Sequence, residues 1–365
     1  MMNARKTVLI MAGGTGGHIF PAMSIAEKLQ ELGVHVEWLG SNAGLEVQIL
    51  SKTHIPLHLI SVRGLRGKGF RSLIMAPFMI LQATLQALKV VKKVNPDCVL
   101  GMGGFVTGPG GVAARLQGKK LLVHEQNAVP GVTNKLLAPM AFKVLQAFPD
   151  TFADRAKVET VGNPVRQAIG RLGAGRDFGD TRPLHILVLG GSQGAQAINR
   201  IVPLALAVWP AGAGNPHVMH QAGRNKLNET AGCYSQAGIE IGDHLTVTEF
   251  IDDMAGAYEW ADVVVCRSGA STVAELAAAG IPSILVPYPY HKDQQQLKNA
   301  RWLEDAGAAL IIEQHDLSAD SLQKALINLA GDRQQLAKMS SAARNIAIVD
   351  ADLRISNICQ EAANG

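Results

Sequence analysis

The sequence is poor in the features that mark disulfide-stabilised, zinc-binding or membrane-spanning proteins. Its 365 residues contain only four cysteines, which are widely separated and form neither a CxxC pair nor a Cys/His cluster. This argues for a reducing cytosol and against a structural zinc site. No segment reaches the roughly 18 continuous apolar residues of a membrane-spanning helix. The apolar run after Arg5-Lys6 is also too short for a secretory signal, so we expect it to be a strand.

Charged residues are scarce, at 18%, and acidic ones are missing from one long stretch. Between Val47 and Pro96 there is no Asp or Glu, although the net charge of the chain is only +4. Such asymmetry predicts an acidic partner: a membrane, nucleic acid or a phosphorylated substrate. Nucleic acid is the weakest of the three, because no Tyr or Trp lies in this stretch to stack on bases. The basic residues of the stretch are Lys52, Arg63, Arg66, Lys68, Arg71, Lys89, Lys92 and Lys93.

Glycine, by contrast, is abundant, and it occurs in three turns that each separate an apolar run from a helical pattern. The turns are GGTGG at 13–17, GMGGFVTGPGG at 101–111 and GGSQG at 190–194. Strands that alternate with helices form parallel sheets covered on both faces. The pattern restarts at a strand predicted over 184–189. We therefore predict an α/β fold of two Rossmann-like domains with parallel sheets facing across a cleft, where ligands bind at the carboxyl ends of the strands.

Two predicted helices of the first half matter for the function. Apolar spacing predicts a helix over 21–32 with Pro21 in its first turn, where the missing N–H of proline is tolerated. It also predicts a long helix over roughly 71–94, part of whose apolar stripe should face the core. The stripe consists of Ile74, Phe78, Leu81, Leu85 and Leu88.

The glycine turns are candidate phosphate sites. Glycine allows backbone N–H groups to approach an anion closely, and the N-terminus of the following helix adds about +0.5 charge. A single such turn can be purely structural, but three in matching positions favour phosphate binding. A nicotinamide dehydrogenase would need an acidic residue at the end of the second strand. That strand ends in Leu39-Gly40-Ser41, and Glu37 lies within it, so we disfavour a dehydrogenase.

His18 ends the first glycine turn and is a candidate catalytic base. At a helix N-terminus the dipole disfavours the imidazolium, so the ring is expected to be neutral near pH 7 and able to accept a proton. The alternative is a histidine that only hydrogen-bonds the turn.

The second half carries a group of polar residues suited to a nucleotide sugar. Ser271 and Thr272 are predicted to cap a helix, and Glu275 is predicted in its first turn, where it could accept both hydroxyls of a ribose. Simple matching of Glu275 to the helix dipole is the alternative. The side-chain amides and carboxylate of 291–296 are suited to bind sugar hydroxyls. The alternative is that this segment is only the solvent-exposed start of a helix. No acidic cluster follows a glycine turn, so we expect a pyrophosphate to be neutralised by helix N-termini, amides and an arginine, with no metal and no cofactor.

Taken together, these motifs resemble one family of bacterial glycosyltransferases, the MurG family. In order they are GGTGGH, GLRGKG, GMGGFVTGPGG, HEQN, GNPVR, LGGSQGA, FIDDM, ADVVVCRSGA and HKDQQQ, and they extend from about residue 7 to the C-terminus. The resemblance implies the GT-B fold. It also implies transfer of N-acetylglucosamine (GlcNAc) from UDP-GlcNAc to lipid I, which is undecaprenyl-pyrophosphoryl-MurNAc-pentapeptide. The product would be lipid II for peptidoglycan synthesis.

The resemblance also implies a division of labour between the domains. Residues 1–165 would form an acceptor and membrane-facing domain, and 166–345 a UDP-GlcNAc-binding domain. The C-terminal helix, 346–365, would pack back on the first domain. The protein would lie peripherally on the cytoplasmic face of the inner membrane.

Site residues follow from the motifs that match. Thr15, Gly16 and Gly17 would lie in the donor and acceptor pocket, and GGTGGH would hold the pyrophosphate of the acceptor. His18 is the candidate base, and Glu125 is a second candidate acid/base group. The sequence does not decide which of the two is the base.

The donor would be bound by residues from both halves. Asn127 would touch the sugar, Arg166 and Ile251 would line the nucleotide site, and Ser192 would meet the pyrophosphate. Gln296, with Gln295 beside it, would read the sugar hydroxyls. The segment that wraps the ribose and phosphates would be Ala270, Ser271, Thr272, Val273, Ala274 and Glu275, the last taking the ribose hydroxyls.

Two departures from the family pattern stand out. Phe105 replaces an expected Tyr, so no hydroxyl there can be essential. The YPYHKDQQQ segment is a residue longer than usual, which leaves open which glutamine reads the sugar.

The implied reaction is a single in-line displacement. The acceptor C4 hydroxyl attacks the anomeric carbon of the donor and inverts it from α to β, which requires a base and stabilisation of departing UDP. The acid-free stretch then suits an anionic lipid surface, since Gly64–Arg71 combines basic residues with Phe70, Leu73 and Met75. A UDP-GlcNAc 2-epimerase and a non-catalytic nucleotide-sugar sensor are the alternatives.

Overall fold

A computed structural model describes residues 5–42, 44–62, 70–153, 156–172, 176–179, 182–191, 194–291 and 293–364, with the side chains of 70–74 and 213 outside that description. The chain divides into two compact units. Unit 1 comprises Met1–Val165 together with Ile348–Gly365, and unit 2 comprises Arg166–Ala347. The chain thus leaves unit 1 once and later returns to it.

Each unit contains one sheet, and all its strand pairs are parallel. The strands of unit 1 are β1 (Thr7–Met11), β2 (His35–Ser41), β3 (Leu57–Ile60), β4 (Cys98–Gly101), β5 (Lys120–Glu125), β6 (Lys143–Gln146) and β7 (Val158–Thr160). Those of unit 2 are β8 (His185–Leu189), β9 (His217–Gln221), β10 (Leu245–Thr248), β11 (Val263–Cys266), β12 (Ser283–Leu285) and β13 (Ala309–Ile311).

Helices connect these strands along the chain. They are α1 (Gly16–Glu31), α2 (Glu46–Leu50), α3 (Phe70–Val94), α4 (Thr107–Leu116), α5 (Val132–Leu137), α6 (Gln167–Gly170), α7 (Gln196–Ala207), α8 (Leu227–Gln236), α9 (Met254–Trp260), α10 (Ala270–Ala279), α11 (Gln295–Asp305), α12 (Ala319–Gly331), α13 (Arg333–Ile346) and α14 (Ala351–Asn364). Single 3-10 turns occur at Ala138–Met140 and Ala211–Ala213. The predicted α/β class with two Rossmann-like domains is confirmed.

Strand order places the glycine turns where ligands bind in such sheets. In unit 1 the order is β3-β2-β1-β4-β5-β6-β7, and in unit 2 it is β10-β9-β8-β11-β12-β13. The order reverses between β1 and β4, and again between β8 and β11. Open parallel sheets bind ligands beyond the carboxyl ends of the strands at such a reversal. The turns after β1 and β4 therefore lie side by side in unit 1, and those after β8 and β11 do so in unit 2.

Both faces of the unit 1 sheet are buried. Leu9 and Met11 face one side with Ala83 from α3, whereas Val8 and Ile10 face the other. Because neither face meets water, the strands read as continuous apolar runs rather than alternating ones. The second face is covered by α1 and also by α14, which packs on α1, β1, β4 and β5. The helix α14 thus completes the core of unit 1.

Several element boundaries differ from those predicted. Helix α1 begins at Gly16 rather than Pro21, because the amides of His18 and Ile19 already bond the carbonyl of Thr15. Pro21 therefore lies inside the helix, where it supplies no N–H. Helix α14 spans Ala351–Asn364 rather than 346–365, since Ile346 ends α13. The short elements α2, β3 and β7 were not predicted.

The long helix α3 buries only part of its apolar stripe, as predicted: Leu88 packs against the core of unit 1, and the side chain of Ile74 lies outside the described part of the chain. Phe78, Leu81 and Leu85 are more than half exposed. The buried positions are instead the small residues Ala83 and Ala87, with Ala76 and Val91. Small side chains let α3 pack closely on α4, whereas Phe78, Leu81 and Leu85 remain exposed to solvent. Within the described ranges no helix combines the length and apolarity needed to cross a membrane.

This arrangement predicts opposite stability effects for two neighbouring positions. Ala83→Leu inserts three carbon atoms into a fully buried site and should lower the free energy of unfolding by about 1–3 kcal/mol. Leu85→Ala, at an exposed site, should change it by no more than about 0.5 kcal/mol. Urea unfolding of both variants measures this, and a larger loss from Leu85→Ala would mean that the stripe is core.

Candidate active site

The first glycine turn of unit 1 presents free backbone amides. Strand β1 ends at Met11, Thr15 is extended, and α1 begins at Gly16 without a side-chain cap. Among the described residues, the amides of Gly16 and Gly17 have no hydrogen-bond partner. Unpaired amides at a helix N-terminus attract anions. The predicted position of this turn, beyond the carboxyl end of β1, is confirmed.

A buried carboxylate that the sequence analysis missed holds this turn in place. The Glu46 side chain is fully buried and accepts hydrogen bonds from the backbone N–H of Ser41 (2.7 Å), its hydroxyl (2.9 Å) and the backbone N–H of Gly14 (3.3 Å). A Cβ on Gly13 would lie 2.8 Å from Oε1 of Glu46, so a side chain there would displace this carboxylate from its hydrogen bonds. Glu46 is the last acidic residue before the acid-free stretch, which is the only signal the sequence gives of its role.

His18 lies in the first turn of α1 with its ring half-buried. Its Nδ1 is 3.4 Å from Oγ1 of Thr15. Burial lowers the pKa of His18 below its ordinary 6.5, and this outweighs the opposing effects of the Glu125 charge and of a hydrogen bond to the Gly13 backbone. The imidazole is thus neutral near pH 7 and can accept a proton, as predicted, although burial rather than the helix dipole is the main cause.

The second glycine turn closes over the first. A Cβ on Gly103 would lie 2.9 Å from Cδ2 of the His18 ring, so the turn after β4 packs directly against the imidazole. Phe105, in the same turn, is about half exposed (49%). The parallel sheet thus brings together two motifs that are about 85 residues apart in sequence.

Glu125, the second candidate base, is bonded on both oxygens. It is buried at the end of β5, where Oε1 accepts from the backbone N–H (3.0 Å) and side-chain amide (3.2 Å) of Asn127. Oε2 accepts from the Gly131 backbone (3.0 Å) and from Nδ2 of Asn134 (2.9 Å). Four donors to one carboxylate describe a group that organises the 126–134 loop. A proton from substrate would have to compete with all of them.

His124, next to Glu125, is a buried structural histidine. Burial lowers its pKa to about 4. Its Nε2 donates to the carbonyl of Gly162 (3.0 Å), and its Nδ1 accepts from Nε2 of Gln126 (3.0 Å). Gln126 in turn donates to the carbonyl of Met102, at the second glycine turn (2.9 Å). In HEQN, therefore, the first three side chains position the loops around Asn127.

The glycine turn of unit 2 follows β8 in the same way. Gln221 fixes it, since Oε1 accepts from the backbone N–H of Gly191 (3.1 Å) and Nε2 donates to the carbonyl of Glu249 (3.1 Å). Helix α7 then begins at Gln196. Ser192, predicted to meet the donor pyrophosphate, lies outside the described residues.

Two details of the next site helix, α10, correct the sequence analysis. The helix begins at Ala270 after extended Gly269, whose carbonyl accepts from the amide of Val273 (2.9 Å). Ser271 and Thr272 therefore lie within the first turn and do not cap it. Glu275 is the sixth helical residue and lies in the second turn, because the helix starts earlier than the capping prediction assumed. Ala270, Val273 and Ala274 share this helix.

Glu275 joins two residues from other elements of unit 2. Its Oε1 accepts from Nη2 (3.0 Å) and Nε (3.3 Å) of Arg166, and its Oε2 accepts from the hydroxyl of Tyr258 (3.0 Å). Burial raises the pKa of Glu275, and this effect is opposed by the charge and hydrogen bond of Arg166 and by the bond from Tyr258. Two predicted site residues are thus brought together. Tyr258 belongs to no recognised motif, so sequence reasoning missed it.

The remaining predicted residues lie in two loops of unit 2. Ile251 is half-buried just before α9. Gln296 uses Oε1 to accept from the backbone N–H of Tyr288 (2.9 Å), and its carbonyl accepts from Oγ of Ser268 (2.8 Å). Gln295 is half-buried, and its side chain has no hydrogen-bond partner among the described residues. Gln296 therefore already holds the 286–290 loop, whereas Gln295 is available to a ligand.

Comparison with known proteins identifies the family. A family model for the glycosyltransferase family 28 N-terminal domain matches residues 8–146, and one for its C-terminal domain matches 185–354. Two curated relatives, from Azotobacter vinelandii and Haemophilus ducreyi, are 48% and 49% identical over 98% of this chain and 99% of their own. Both are UDP-N-acetylglucosamine–N-acetylmuramyl-(pentapeptide) pyrophosphoryl-undecaprenol N-acetylglucosamine transferases.

Solved structures agree. The crystal structure of Acinetobacter baumannii MurG matches with a TM-score of 0.81 and 39% identity, covering 98% of this chain and 99% of that one. A putative UDP-N-acetylglucosamine 2-epimerase from Listeria monocytogenes has a TM-score of 0.68 at 16% identity, with 96% and 95% covered, and shares the fold alone. The chain is therefore a glycosyltransferase that belongs to the MurG family.

Proposed function

We propose that this chain transfers GlcNAc from UDP-GlcNAc to the C4 hydroxyl of MurNAc in lipid I, forming lipid II with inversion at the anomeric carbon. Its relatives are named for transfer of N-acetylglucosamine to an N-acetylmuramyl-(pentapeptide) pyrophosphoryl-undecaprenol. The observation that carries the proposal is His18, a neutral imidazole held at the N-terminus of α1 beside unpaired amides. A base beside an anion site is what attack by a hydroxyl on a pyrophosphate-linked sugar requires.

In unit 1, the acceptor binds at the first glycine turn. The amides of Gly16 and Gly17, with Thr15, hold the acceptor pyrophosphate at the positive end of α1. His18 removes the proton of the C4 hydroxyl as its oxygen bonds to the anomeric carbon. Glu125 acts through the 126–134 loop and orients Asn127 toward the donor sugar, because its four hydrogen bonds engage both of its oxygens within that loop.

In unit 2, the donor binds at the turns after β8 and β11. Glu275 accepts the ribose hydroxyls, Arg166 and Ile251 line the nucleotide, and Ser192 with the amides of α10 receives the phosphates. The bond from the anomeric carbon to the phosphate oxygen breaks, and UDP leaves with the electron pair. Helix N-termini and Arg166 neutralise the charge that develops, so the reaction needs no divalent cation. The segment concerned on α10 comprises Ala270, Ser271, Thr272, Val273 and Ala274.

Sugar recognition falls to the loop that precedes α11. Gln296 supports this loop through the Tyr288 backbone, and its side-chain N–H groups, together with the amide of Gln295, face the GlcNAc hydroxyls. The hydrogen bond from the backbone N–H of Tyr288 to Oε1 of Gln296 holds the loop in place before a ligand binds.

The membrane surface is the remaining partner. On α3, Met75, Phe78, Leu81 and Leu85 are exposed by more than half, in a stretch with no acidic residue. Neighbouring helices carry further exposed apolar residues, Leu116 on α4 and Leu136 on α5, at 68% and 70%. An apolar surface combined with positive charge binds anionic lipid peripherally. We place the enzyme on the cytoplasmic face of the inner membrane, where Arg63, Arg66, Lys68 and Arg71 add positive charge; the side chains of these four residues lie outside the described part of the chain.

Acceptor dependence tests the overall reaction. We expect release of UDP from UDP-GlcNAc only when a short-chain lipid I analogue is present, at a rate that a chelator such as EDTA leaves unchanged. A coupled assay for UDP measures both. Equal release without acceptor would indicate an epimerase or hydrolase, and donor binding without release would indicate a sensor.

Replacement of the base tests the role of His18. His18→Ala should lower kcat by about 10²–10⁴-fold, the usual contribution of a general base, while UDP-GlcNAc binding is retained. In the unmodified enzyme, activity should fall as the pH drops through the pKa of His18, because protonation removes the base. This acidic limb should lie below pH 6.5, since burial lowers that pKa.

The matched comparison is Glu125→Gln. It should lower kcat by about tenfold through disturbance of the 126–134 loop and keep the acidic limb. If Glu125→Gln instead abolishes turnover and the limb, Glu125 is the base.

Membrane binding depends on the exposed face of α3. The double variant Phe78→Ser/Leu81→Ser should weaken co-sedimentation with phosphatidylglycerol vesicles at least about tenfold, because both side chains lose apolar contact with lipid. The matched control is Leu204→Ser/Val208→Ser in unit 2, whose side chains are exposed by 47% and 50%. Equal weakening by both double variants would argue against a docking face on α3.

A further inference from the structure

Glu275 is held by two donors of very different mobility. Tyr258 is almost fully buried, at 1% exposure, and its position is set by α9. Arg166 directly precedes the short helix α6, and its side chain is about half exposed, at 52%. One partner of the carboxylate is therefore part of the core, whereas the other can move into solvent.

The two donors also occupy different oxygens. Arg166 places two N–H groups on Oε1, so both lone pairs of that oxygen are engaged. Tyr258 places one O–H on Oε2, which retains one free acceptor direction. A ribose offers two hydroxyls. Glu275 can accept both only if Arg166 leaves Oε1, whereas Tyr258 can remain in place.

We propose that Tyr258 is a positioning residue that fixes Glu275 for the two ribose hydroxyls of the donor nucleotide, while Arg166 occupies the ribose position until the donor displaces it. The inference rests on the proposed function, in which Glu275 binds the ribose. It adds Tyr258 as the residue that orients this carboxylate, and the displacement of Arg166 as the step that frees Oε1.

Tyr258 is suited to this role because it is a permanent donor. Burial, followed by the charge of Glu275, raises the pKa of Tyr258 well above its ordinary value of 10, so the hydroxyl keeps its proton throughout the physiological range. Its bond also favours the ionised form of Glu275, whose pKa burial raises. Without the hydroxyl, Oε2 would be desolvated with no donor and the carboxylate would be free to rotate.

The test is discrimination between a ribose and a 2′-deoxyribose. UDP-GlcNAc and its 2′-deoxyuridine analogue are compared as donors for the full chain, for Tyr258→Phe and for Glu275→Gln. Tyr258→Phe should raise KM for UDP-GlcNAc about tenfold with kcat changed less than about twofold, since a hydrogen bond to a charged group is lost. Its preference for the ribose donor should shrink toward that of Glu275→Gln.

Tyr234→Phe is the matched control. Tyr234 is also fully buried in unit 2, and its hydroxyl bonds Nδ1 of His220 at 2.8 Å. The Tyr234→Phe variant therefore loses a buried hydroxyl of the same kind. Its KM for UDP-GlcNAc and its preference for the ribose donor should both be unchanged. A merely structural role for Tyr258 would make the two variants behave alike.

A second variant covers the case in which Tyr258→Phe does not fold. Glu275→Asp keeps the charge but shortens the side chain by one methylene, so it cannot reach Tyr258 and the ribose together. It should lose the ribose preference as Glu275→Gln does.

The outcomes separate the two proposals. If Glu275→Gln loses the ribose preference while Tyr258→Phe and Glu275→Asp keep it, the positioning role is wrong and the donor site stands. If the unmodified chain shows no ribose preference, or Glu275→Gln leaves it unchanged, the assignment of Glu275 fails, and the inference fails with it.

Discussion

The parallel alignment of strands is the constraint on which both candidate sites depend. Because every strand of a unit points the same way, all its carboxyl ends meet at one edge, and helices begin there with unpaired amides. In unit 1 this places the turns after β1 and β4 against each other, with the His18 ring against Gly103. In unit 2 it places the turns after β8 and β11 side by side. The order of the strands in each sheet, rather than proximity in sequence, therefore decides which loops lie together.

Carboxylates that are buried (Glu46 and Glu125) or largely buried (Glu275) recur as the groups that hold these loops. Glu46 fixes the first glycine turn, Glu125 the loop that carries Asn127, and Glu275 the junction with Arg166 and Tyr258. A buried carboxylate is costly unless donors satisfy it, so each one forces nearby backbone or side-chain donors into fixed positions. Of the three, only Glu275 is paired with a donor that can move away, and only it is proposed to bind a ligand.

Much of the fold could be predicted from sequence, whereas the supporting contacts could not. The glycine turns, the parallel sheets and His18 follow from local spacing and from the resemblance to the family. Tyr258 and Glu46 could not be found in this way, because a side chain that acts through another residue lies in no motif. Which part of the α3 stripe is buried could not be predicted, because hydropathy does not reveal that small residues such as Ala83 form the close contact with α4. The position of Ser271 and Thr272 inside α10 could not be predicted either, because the start of this helix depends on the extended backbone of Gly269.

The return of the chain to unit 1 has a consequence for biosynthesis. Because α14 supplies Ile355 and Cys359 to the core of unit 1, that core stays incomplete until Ala351–Asn364 has left the ribosome. Unit 2, which is continuous from Arg166 to Ala347, can fold first. The unit made first is then the last to be finished, and during this interval the apolar face of β1 and β4 that α14 covers is open to contact with other chains.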